Sequence, residues 1–443
     1  MKRRLAKIGG ALAVLAVVVA GGAYAAYKLE LFAGVETQRG EVATTNEAEA
    51  PVVRRPPPPR PSWPTFRYDE RRTGFNPRAK ARPPFNVRWR RRLPSRGYLE
   101  GPGVVEDNVF VVASYGKRFG SDVSAFDATT GRTRWRRHYP HPTNYAGSPL
   151  IHRGIVYVTS HDGHIRSYSL RTGKTLWQAR IAAAESPPII KGNLLYFGDG
   201  PKGGNGTFRA VDLRTKRVVW RYKASGTISS GAALTETTLY FASYGGTVYA
   251  LNRFSGKLRW KSGVSGATGG SVPFYSTPAV AGGKVIVGGL DGGVYALNAR
   301  TGDQVWRHDA SNYVYPSAAV WHGRVFIGDF SGNFYALSLR SGRQLWRRSM
   351  GPIIGSATVA RGIVYISSLR PSKTWGFSAR TGKTIWTCPD GEYSPLVADR
   401  DVAWLNGEQT IYGLVPRVRP RRRPPPRPRP RPVRAAGTVD ALA

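Results

Sequence analysis

Cysteine is nearly absent from this chain of 443 residues, which has a single one, Cys388. One cysteine excludes an internal disulfide and any zinc site built from several cysteines. Acidic side chains are also scarce, because 27 Asp and Glu stand against 66 Lys and Arg and leave a formal net charge of +39. Hydrophobic residues make up 41% and aromatic residues 11% of the chain, so a packed core is expected and global disorder is excluded.

The positive charge is concentrated towards the two termini. Residues 1–92 hold 19 basic and 7 acidic side chains, and residues 416–443 hold 9 and 1, so about half of the net charge lies in these two segments. Residues 416–434 are almost entirely Arg and Pro, which cannot pack a core. We therefore expect residues 416–443 to form a disordered Arg/Pro-rich tail.

The first residues have the pattern of a membrane anchor. A basic segment, 1–7, precedes the uncharged apolar run 8–27, which is long enough to cross a bilayer as one helix. The basic segment should stay cytoplasmic, which places the rest of the chain outside the cell membrane as a single-pass protein. The alternative is a cleaved signal peptide and a secreted protein, because Ala23-Tyr24-Ala25 fits a cleavage site. Residues 28–61 are polar and rich in Pro and Arg, which predicts an extended stalk.

Residues 62–415 contain a repeat marked by tryptophan. Seven tryptophans recur at intervals of 40 to 46 residues, six of them after a Thr/Ser-Gly turn: Trp135, Trp177, Trp220, Trp260, Trp306, Trp346 and Trp386. The turn before Trp220 has Thr215-Lys216 instead. A period near 40 residues, with short alternating apolar segments and glycine turns between them, predicts the four-stranded blades of a β-propeller.

The count of inner strands predicts eight blades. The last copy, 394–415, supplies only three strands, which would leave an open sheet edge. Residues 86–93 carry Trp89 in the outer-strand pattern and are predicted to fill that place. The predicted fold is therefore all-β, an eight-bladed propeller of four-stranded blades closed by an N-terminal strand and preceded by one transmembrane helix. The eight repeat tryptophans are predicted to pack on turns of neighbouring blades as part of the core.

At this point the sequence resembles a known repeat. Segment 294–306 (VYALNARTGDQVW) resembles the pyrroloquinoline-quinone-type propeller repeat, and so does the preceding Trp63-Pro64-Thr65-Phe66 with Arg72-Thr73-Gly74. The resemblance covers residues 62–415. The resemblance implies the fold. It does not imply one function, because the repeat occurs both in quinoprotein alcohol and glucose dehydrogenases and in non-enzymatic scaffolds like the BamB-type assembly lipoproteins.

The dehydrogenase branch of this resemblance implies features that the chain lacks. Those enzymes commonly carry an adjacent cysteine pair, and they hold calcium with Glu, Asn and Asp. This chain has one cysteine and no segment that matches the ligand motifs. Calcium needs about six to eight oxygen ligands. We therefore predict no catalytic residues, no metal site and no cofactor, with quinone plus calcium as the less favoured alternative.

A candidate binding face follows from propeller geometry. The loops that enter the inner strands and those that join second and third strands should share one face. The segments entering the inner strands carry five tyrosines and three glutamates: Tyr98, Tyr145, Tyr275, Tyr315, Tyr393, Glu100, Glu185 and Glu392. Aromatic and polar groups at a funnel mouth are typical of a binding surface. The alternative is that the tyrosines cap the inner strands and pack locally.

These observations lead to a functional hypothesis with two alternatives. The chain is predicted to be a monomeric, membrane-anchored scaffold outside the cytoplasm that binds an envelope protein. The alternatives are a quinone-dependent oxidoreductase and a sensor module that binds carbohydrate or a wall polymer. The Arg-rich tail indicates attraction to anionic lipid or wall polymer. Nucleic acid is not expected as a partner, because the chain is predicted to be exported.

Overall fold

A computed structural model describes residues 62–93, 99, 101, 103–116, 120–139, 147–200, 203–264, 272–391, 396–407 and 409–417. The predicted cytoplasmic segment 1–7, transmembrane helix 8–27, stalk 28–61 and most of the tail 416–443 lie outside these residues. Within the described part of the chain, no helix is long and apolar enough to cross a membrane.

Three strands precede the repeats: β1 (Ser62–Trp63), β2 (Phe75–Asn76) and β3 (Phe85–Arg92). The repeats then begin with four sheets. Blade 1 contains β4 (Val104–Glu106), β5 (Val109–Gly116), β6 (Gly120–Asp127) and β7 (Thr133–Tyr139). Blade 2 contains β8 (Leu150–His152), β9 (Ile155–Ser160), β10 (His164–Ser169) and β11 (Thr175–Arg180). Blade 3 contains β12 (Ile189–Lys191), β13 (Leu194–Asp199), β14 (Gly206–Asp212) and β15 (Val218–Ala224). Blade 4 contains β16 (Ala233–Leu234), β17 (Thr238–Ala242), β18 (Thr247–Asn252) and β19 (Leu258–Gly263).

Four further sheets complete the ring. Blade 5 contains β20 (Ala279–Ala281), β21 (Lys284–Gly288), β22 (Gly293–Asn298) and β23 (Gln304–Asp309). Blade 6 contains β24 (Ala319–Trp321), β25 (Arg324–Gly328), β26 (Asn333–Ser338) and β27 (Gln344–Ser349). Blade 7 contains β28 (Thr358–Ala360), β29 (Ile363–Leu369), β30 (Ser372–Ser378) and β31 (Thr384–Cys388). Blade 8 contains β32 (Val397–Ala398), β33 (Ala403–Asn406) and β34 (Thr410–Pro416), with β3 as its outer strand.

The strand sequences show how neighbouring blades pack face to face. In blade 5 the second and third strands, β21 and β22, are buried on both faces, because each sheet is covered by a neighbouring sheet on either side. The outer strand β23 buries the repeat tryptophan and exposes the residues before it. Eight apolar clusters each combine residues of two adjacent blades, so every junction in the ring has its own core.

The N-terminal strand closes the ring. Strand β3 pairs antiparallel with β34, and Trp89 lies opposite Gly413. The eighth blade thereby gains its fourth strand from the start of the repeat region. The predicted eight-bladed, four-stranded propeller with an N-terminal closing strand is confirmed.

Most of the repeat tryptophans meet a glycine of the following blade. A Cβ atom on Gly342 would lie only 2.7 Å from the Trp306 ring, and Gly342 has a φ of +71°. Equivalent contacts join Trp89 to Gly131, Trp135 to Gly173, Trp220 to Gly256, Trp260 to Gly302 and Trp346 to Gly382. Two tryptophans differ and are only partly buried: Trp177 lies against Lys216, and Trp386 lies edge-on to Phe85.

Residues 62–76, which we call the plug, run across the inner strands at one end of the central channel. Main-chain carbonyls of Pro64, Glu70 and Arg71 accept hydrogen bonds from the N–H groups of Ile151, Leu234 and Val280. Thr73 and Gly74 do the same for Val320 and Val359, and β1 pairs with the inner strand of blade 1. Inner strands have a free edge towards the channel, and the plug satisfies part of it.

Two arginines of the plug are buried in the channel. Arg72 donates to the carbonyl oxygens of Ala232 (2.9 Å) and Pro188 (3.1 Å), and Arg67 donates to those of Ala318 (2.7 Å) and Ala357. Burial lowers the pKa of both guanidinium groups to about 9, although the nearby Asp69 carboxylate opposes that shift. The acceptors are mainly neutral carbonyl groups, so the guanidinium groups act as hydrogen-bonding links between the blades.

Candidate functional site

The strand registers define two faces of the propeller. In blade 5, Gly288 lies opposite Val294, so the loop between the second and third strands is at one end of the sheet. Lys284 lies opposite Asn298 at the other end. We call the first end the loop face, since it also carries the segments that enter the inner strands. We call the second end the turn face.

A groove opens on the loop face across blades 2, 3 and 4. Its volume is about 1110 Å³, and His161, Glu185, Tyr244 and Tyr275 contribute to its walls. Much of the remaining lining is glycine: Gly200, Gly203, Gly204, Gly226 and Gly245. A Cβ atom on Gly226 would lie 2.2 Å from the Gly245 nitrogen, so two loops touch there without side chains. The groove therefore presents backbone and small side chains in its lining, with aromatic rings at its edge.

Two polar side chains of the groove, His161 and Glu185, are paired with each other. The His161 Nε2 atom lies 2.7 Å from Glu185 Oε1. Burial raises the pKa of Tyr244 to about 12, and the Glu185 carboxylate and the Tyr315 hydroxyl contribute to that shift. The two histidines of the turn His161-Asp162-Gly163-His164 have different partners. His161 Nε2 faces Glu185, whereas His164 Nδ1 lies 3.0 Å from the main-chain oxygen of Asp162.

A row of aromatic rings extends from the groove across blades 4, 5 and 6. Tyr275 lies 6.1 Å from Tyr244 and 6.0 Å from Tyr315 between ring centroids. Tyr315 in turn contacts Tyr313 (6.1 Å) and Phe330 (5.9 Å). We call these five residues the aromatic row. Four of them are 38–49% exposed, and the ring contacts are edge-to-face.

A buried carboxylate fixes the loops under the aromatic row. Asp329 is fully buried and accepts hydrogen bonds from the Tyr335 hydroxyl (2.9 Å) and the Ser311 N–H (3.1 Å). It also accepts one from the Asn333 N–H at 2.9 Å. Phe330 follows Asp329, and Tyr313 follows Ser311 by two residues. The exposed rings are therefore held on a fixed base before any ligand arrives.

Three of the eight predicted face residues lie among the described residues. Glu185 and Tyr275 line the groove, and Tyr315 joins the aromatic row. The other five lie outside the described residues: Tyr98, Tyr145, Tyr393, Glu100 and Glu392. Sequence reasoning missed Tyr244, Tyr313, Phe330 and His161. Tyr244, Phe330 and His161 all occupy turns between second and third strands, so that slot of the repeat was the available signal.

The described residues contain no acidic cluster of the kind that holds a metal ion. Calcium needs about six to eight oxygen ligands. Within the part of the chain that the structure describes, no group of three or more His, Cys, Asp or Glu side chains lies close enough to hold a metal ion. The groove carboxylate, Glu185, is already paired with His161.

The fold and repeat define an eight-bladed propeller of the pyrroloquinoline-quinone-like class. A family model described as outer membrane protein assembly factor BamB matches residues 86–203 and 204–416. The chain belongs to this family.

Individual relatives show the fold and a partial sequence likeness. The outer membrane protein assembly factor BamB of Legionella pneumophila (strain Paris) is 28% identical over 181 residues, which span 38% of this chain and 44% of that protein. A crystal structure of BamB from Moraxella catarrhalis superposes with a TM-score of 0.61 at 15% identity, covering 75% of this chain and 99% of that one. A europium-containing methanol dehydrogenase superposes with a TM-score of 0.65 at 13% identity, covering 80% and 98%.

Proposed function

We propose that this protein is a non-catalytic scaffold of the cell envelope that binds another envelope protein through its loop face. The observation that carries the proposal is the aromatic row, in which exposed rings stand beside a glycine-lined groove on a fixed base. Tyrosine-rich, preorganised surfaces of this kind are typical of protein recognition. Membership of the BamB-described family supports the same class of function.

The proposal includes a location and a state. We propose that residues 8–27 hold the chain in the cell membrane as a monomer, with the propeller on the extracytoplasmic side. This keeps the sequence-based prediction of an anchor. The BamB relatives, described as outer membrane protein assembly factors, support a place in the cell envelope. The Arg-rich tail adds attraction to anionic lipid or wall polymer, and nucleic acid is not proposed as a partner.

A quinone-dependent oxidoreductase is the second candidate. The likeness to methanol dehydrogenase favours it, because that enzyme has the same fold. The described residues supply no cluster of metal ligands for such chemistry. Reduction of a dye by the purified protein, dependent on added quinone, calcium and an alcohol, would favour this candidate. A wall-polymer sensor is a third candidate, and retention of the purified protein on isolated wall material would favour it.

The binding proposal predicts a loss of capture when the aromatic row is shortened. The double variant Tyr275→Ala, Tyr315→Ala should retain no more than about a tenth of the envelope partner that the wild type retains. The reason is that central aromatic contacts carry most of the binding energy. The measurement is quantitative mass spectrometry of proteins retained from detergent-solubilised native envelope by the full-length chain.

The matched control is the double variant Leu345→Ala, Ile385→Ala. These side chains are also exposed and apolar, but they lie on outer strands of blades 6 and 7. We expect this variant to retain the same proteins as the wild type. Equal retention by the Tyr275/Tyr315 variant and the wild type would show that the loop face is not the binding surface.

A further inference from the structure

The turn face is built from two kinds of turn that lie side by side in each blade. One turn joins the first and second strands, and the other joins the third and fourth strands. In blade 5 the Ala299 N–H donates to the Gly283 carbonyl oxygen at 2.9 Å, which ties one turn to the other. The equivalent hydrogen bond is present in each of the first seven blades. The turns of these seven blades therefore lie at the same end of each blade and together form one surface.

Basic side chains repeat on this surface. The turn between third and fourth strands carries an exposed arginine at the same position in five blades: Arg171, Arg214, Arg300, Arg340 and Arg380. A second exposed basic residue follows the turn glycine in five blades: Arg132, Lys174, Lys257, Arg343 and Lys383. Acidic residues on this surface are fewer. Asp303 lies in one of these turns, Asp127 and Asp212 end the strands before two others, and Asp107 and Glu236 lie in turns between first and second strands.

The basic side chains on the turn face are largely unneutralised. Among the described residues, Arg214 alone of these ten has a carboxylate oxygen within 4 Å, at 3.5 Å on Asp212. Like charges held in a ring around one face produce a positive potential that adds over the whole face. Such a surface matches an extended anionic surface better than a single small anion.

Both ends of the described chain lie on the same face. Ser62 pairs with Glu106, which ends the inner strand of blade 1 next to its turn. Pro416 pairs with Phe85 at the end of the third strand of blade 8, and third strands run towards the turn face. The predicted anchor and stalk therefore join the propeller here, and so does the Arg-rich tail.

We propose that the turn face docks on the anionic lipid bilayer in which the chain is anchored. The occupant is specified by the attachment of the predicted anchor to this face together with the repeated positive charge. Basic side chains near an anionic leaflet attract it strongly within a Debye length of the surface. Docking turns the loop face away from the membrane, so the aromatic row points towards partners.

The test measures how close the propeller lies to the bilayer. Full-length protein is reconstituted in vesicles with a dansyl-labelled headgroup, and energy transfer from its tryptophans is recorded. The predicted stalk could reach about 100 Å if extended, so anchoring alone does not hold the propeller at the surface. We expect more transfer with about 30% phosphatidylglycerol than with pure phosphatidylcholine, and a loss of that gain at about 0.5 M salt.

Two variants with the same net charge distinguish an effect of the turn face from an effect of net charge. Arg171, Arg300, Arg340 and Arg380 are changed together to Gln, and the control changes Arg90, Arg221, Arg259 and Arg347, all exposed on outer strands, to Gln. Each removed charge should weaken docking about fivefold, so the loss of four charges should lower the docking constant about 600-fold and abolish the gain in transfer. The control should keep most of the gain.

Several results would overturn the proposal. Equal losses of the gain in transfer in both variants would assign the effect to net charge. No loss in the turn-face variant would show that the turn face does not bind the bilayer. If deletion of residues 417–434 abolishes the gain while the turn-face variant keeps it, the tail is the lipid-binding element. Selective binding of an anionic wall polymer by the wild type, without any gain on vesicles, would assign the face to that polymer. None of these outcomes depends on a protein partner, so failure here leaves the proposed scaffold function standing.

Discussion

Lys216 shows how one residue of the repeat departs from its pattern and what that costs. It occupies the position that glycine takes in the other turns that follow third strands, and its φ of +60° is in the left-handed region. A side chain in that region costs about 1–2 kcal/mol relative to glycine. The neighbouring Trp177 is only partly buried, whereas Trp135, which meets a glycine, is 8% exposed.

Replacing Lys216 by glycine should therefore stabilise the protein. We expect Lys216→Gly to raise the free energy of unfolding by about 0.5 kcal/mol, because relief of about 1–2 kcal/mol of backbone strain exceeds the lost contact with the Trp177 ring and the added chain entropy, each about 0.5 kcal/mol. Urea denaturation followed by tryptophan fluorescence measures the change.

The matched control for this change is Lys174→Gly. Lys174 is also exposed in an outer turn, but it is not among the residues with positive φ. It should gain nothing and lose up to about 1 kcal/mol through added chain entropy in the unfolded state. The account of strain fails if Lys174→Gly stabilises the protein as much as Lys216→Gly does.

At the scale of elements, the plug is the feature that the sequence alone did not specify. Its sequence was recognisable through Trp63 and Arg72-Thr73-Gly74, but its path across the channel was not predicted. The reason is the distance along the chain between its partners: Arg67 and Ala318 are separated by 251 residues, and Arg72 and Ala232 by 160. No local pattern encodes which distant carbonyl groups remain free to accept a guanidinium.

The hydrogen bonds of the plug predict that replacing Arg72 lowers the stability of the protein strongly, whereas replacing the adjacent Arg71 does not. Arg72→Met should lower the free energy of unfolding by about 2–4 kcal/mol, because several buried carbonyl groups, among them those of Phe66 and Ala232, lose their donor. Chemical denaturation of the full-length variant provides the measurement.

The control is the neighbouring residue. Arg71 is exposed, and its contribution to the plug is its main-chain carbonyl group, which any residue retains. Arg71→Met should change the free energy of unfolding by less than about 0.5 kcal/mol. Equal effects at the two positions would contradict the role assigned to the buried guanidinium of Arg72.

At the scale of the whole molecule, the ring was predictable and the site was predictable only in part. The tryptophan period and the incomplete last copy were sufficient to place Trp89 in the closing strand, because an open sheet edge is unfavourable. The same reasoning placed Tyr275 and Tyr315 on the loop face. It missed Tyr244 and Phe330, because whether a loop residue points outward depends on contacts such as those of Asp329 below it.

The two faces of the propeller differ in chemistry. Uncompensated basic side chains and both ends of the described chain are on the turn face, and the groove and aromatic row are on the loop face. A scaffold that docks by one face and presents the other needs no moving part. The partner-binding role of the loop face is the central claim of this account.

Site-specific photo-crosslinking in living cells tests that claim most directly. The photoreactive residue p-benzoylphenylalanine is placed at Tyr313 or Phe330 in the aromatic row, and at Ile385 on an outer strand as a control of similar exposure. The account predicts the same discrete adduct with an envelope protein from positions 313 and 330, and none from position 385. Adducts from position 385 alone, or no adduct from either loop-face position, would contradict it.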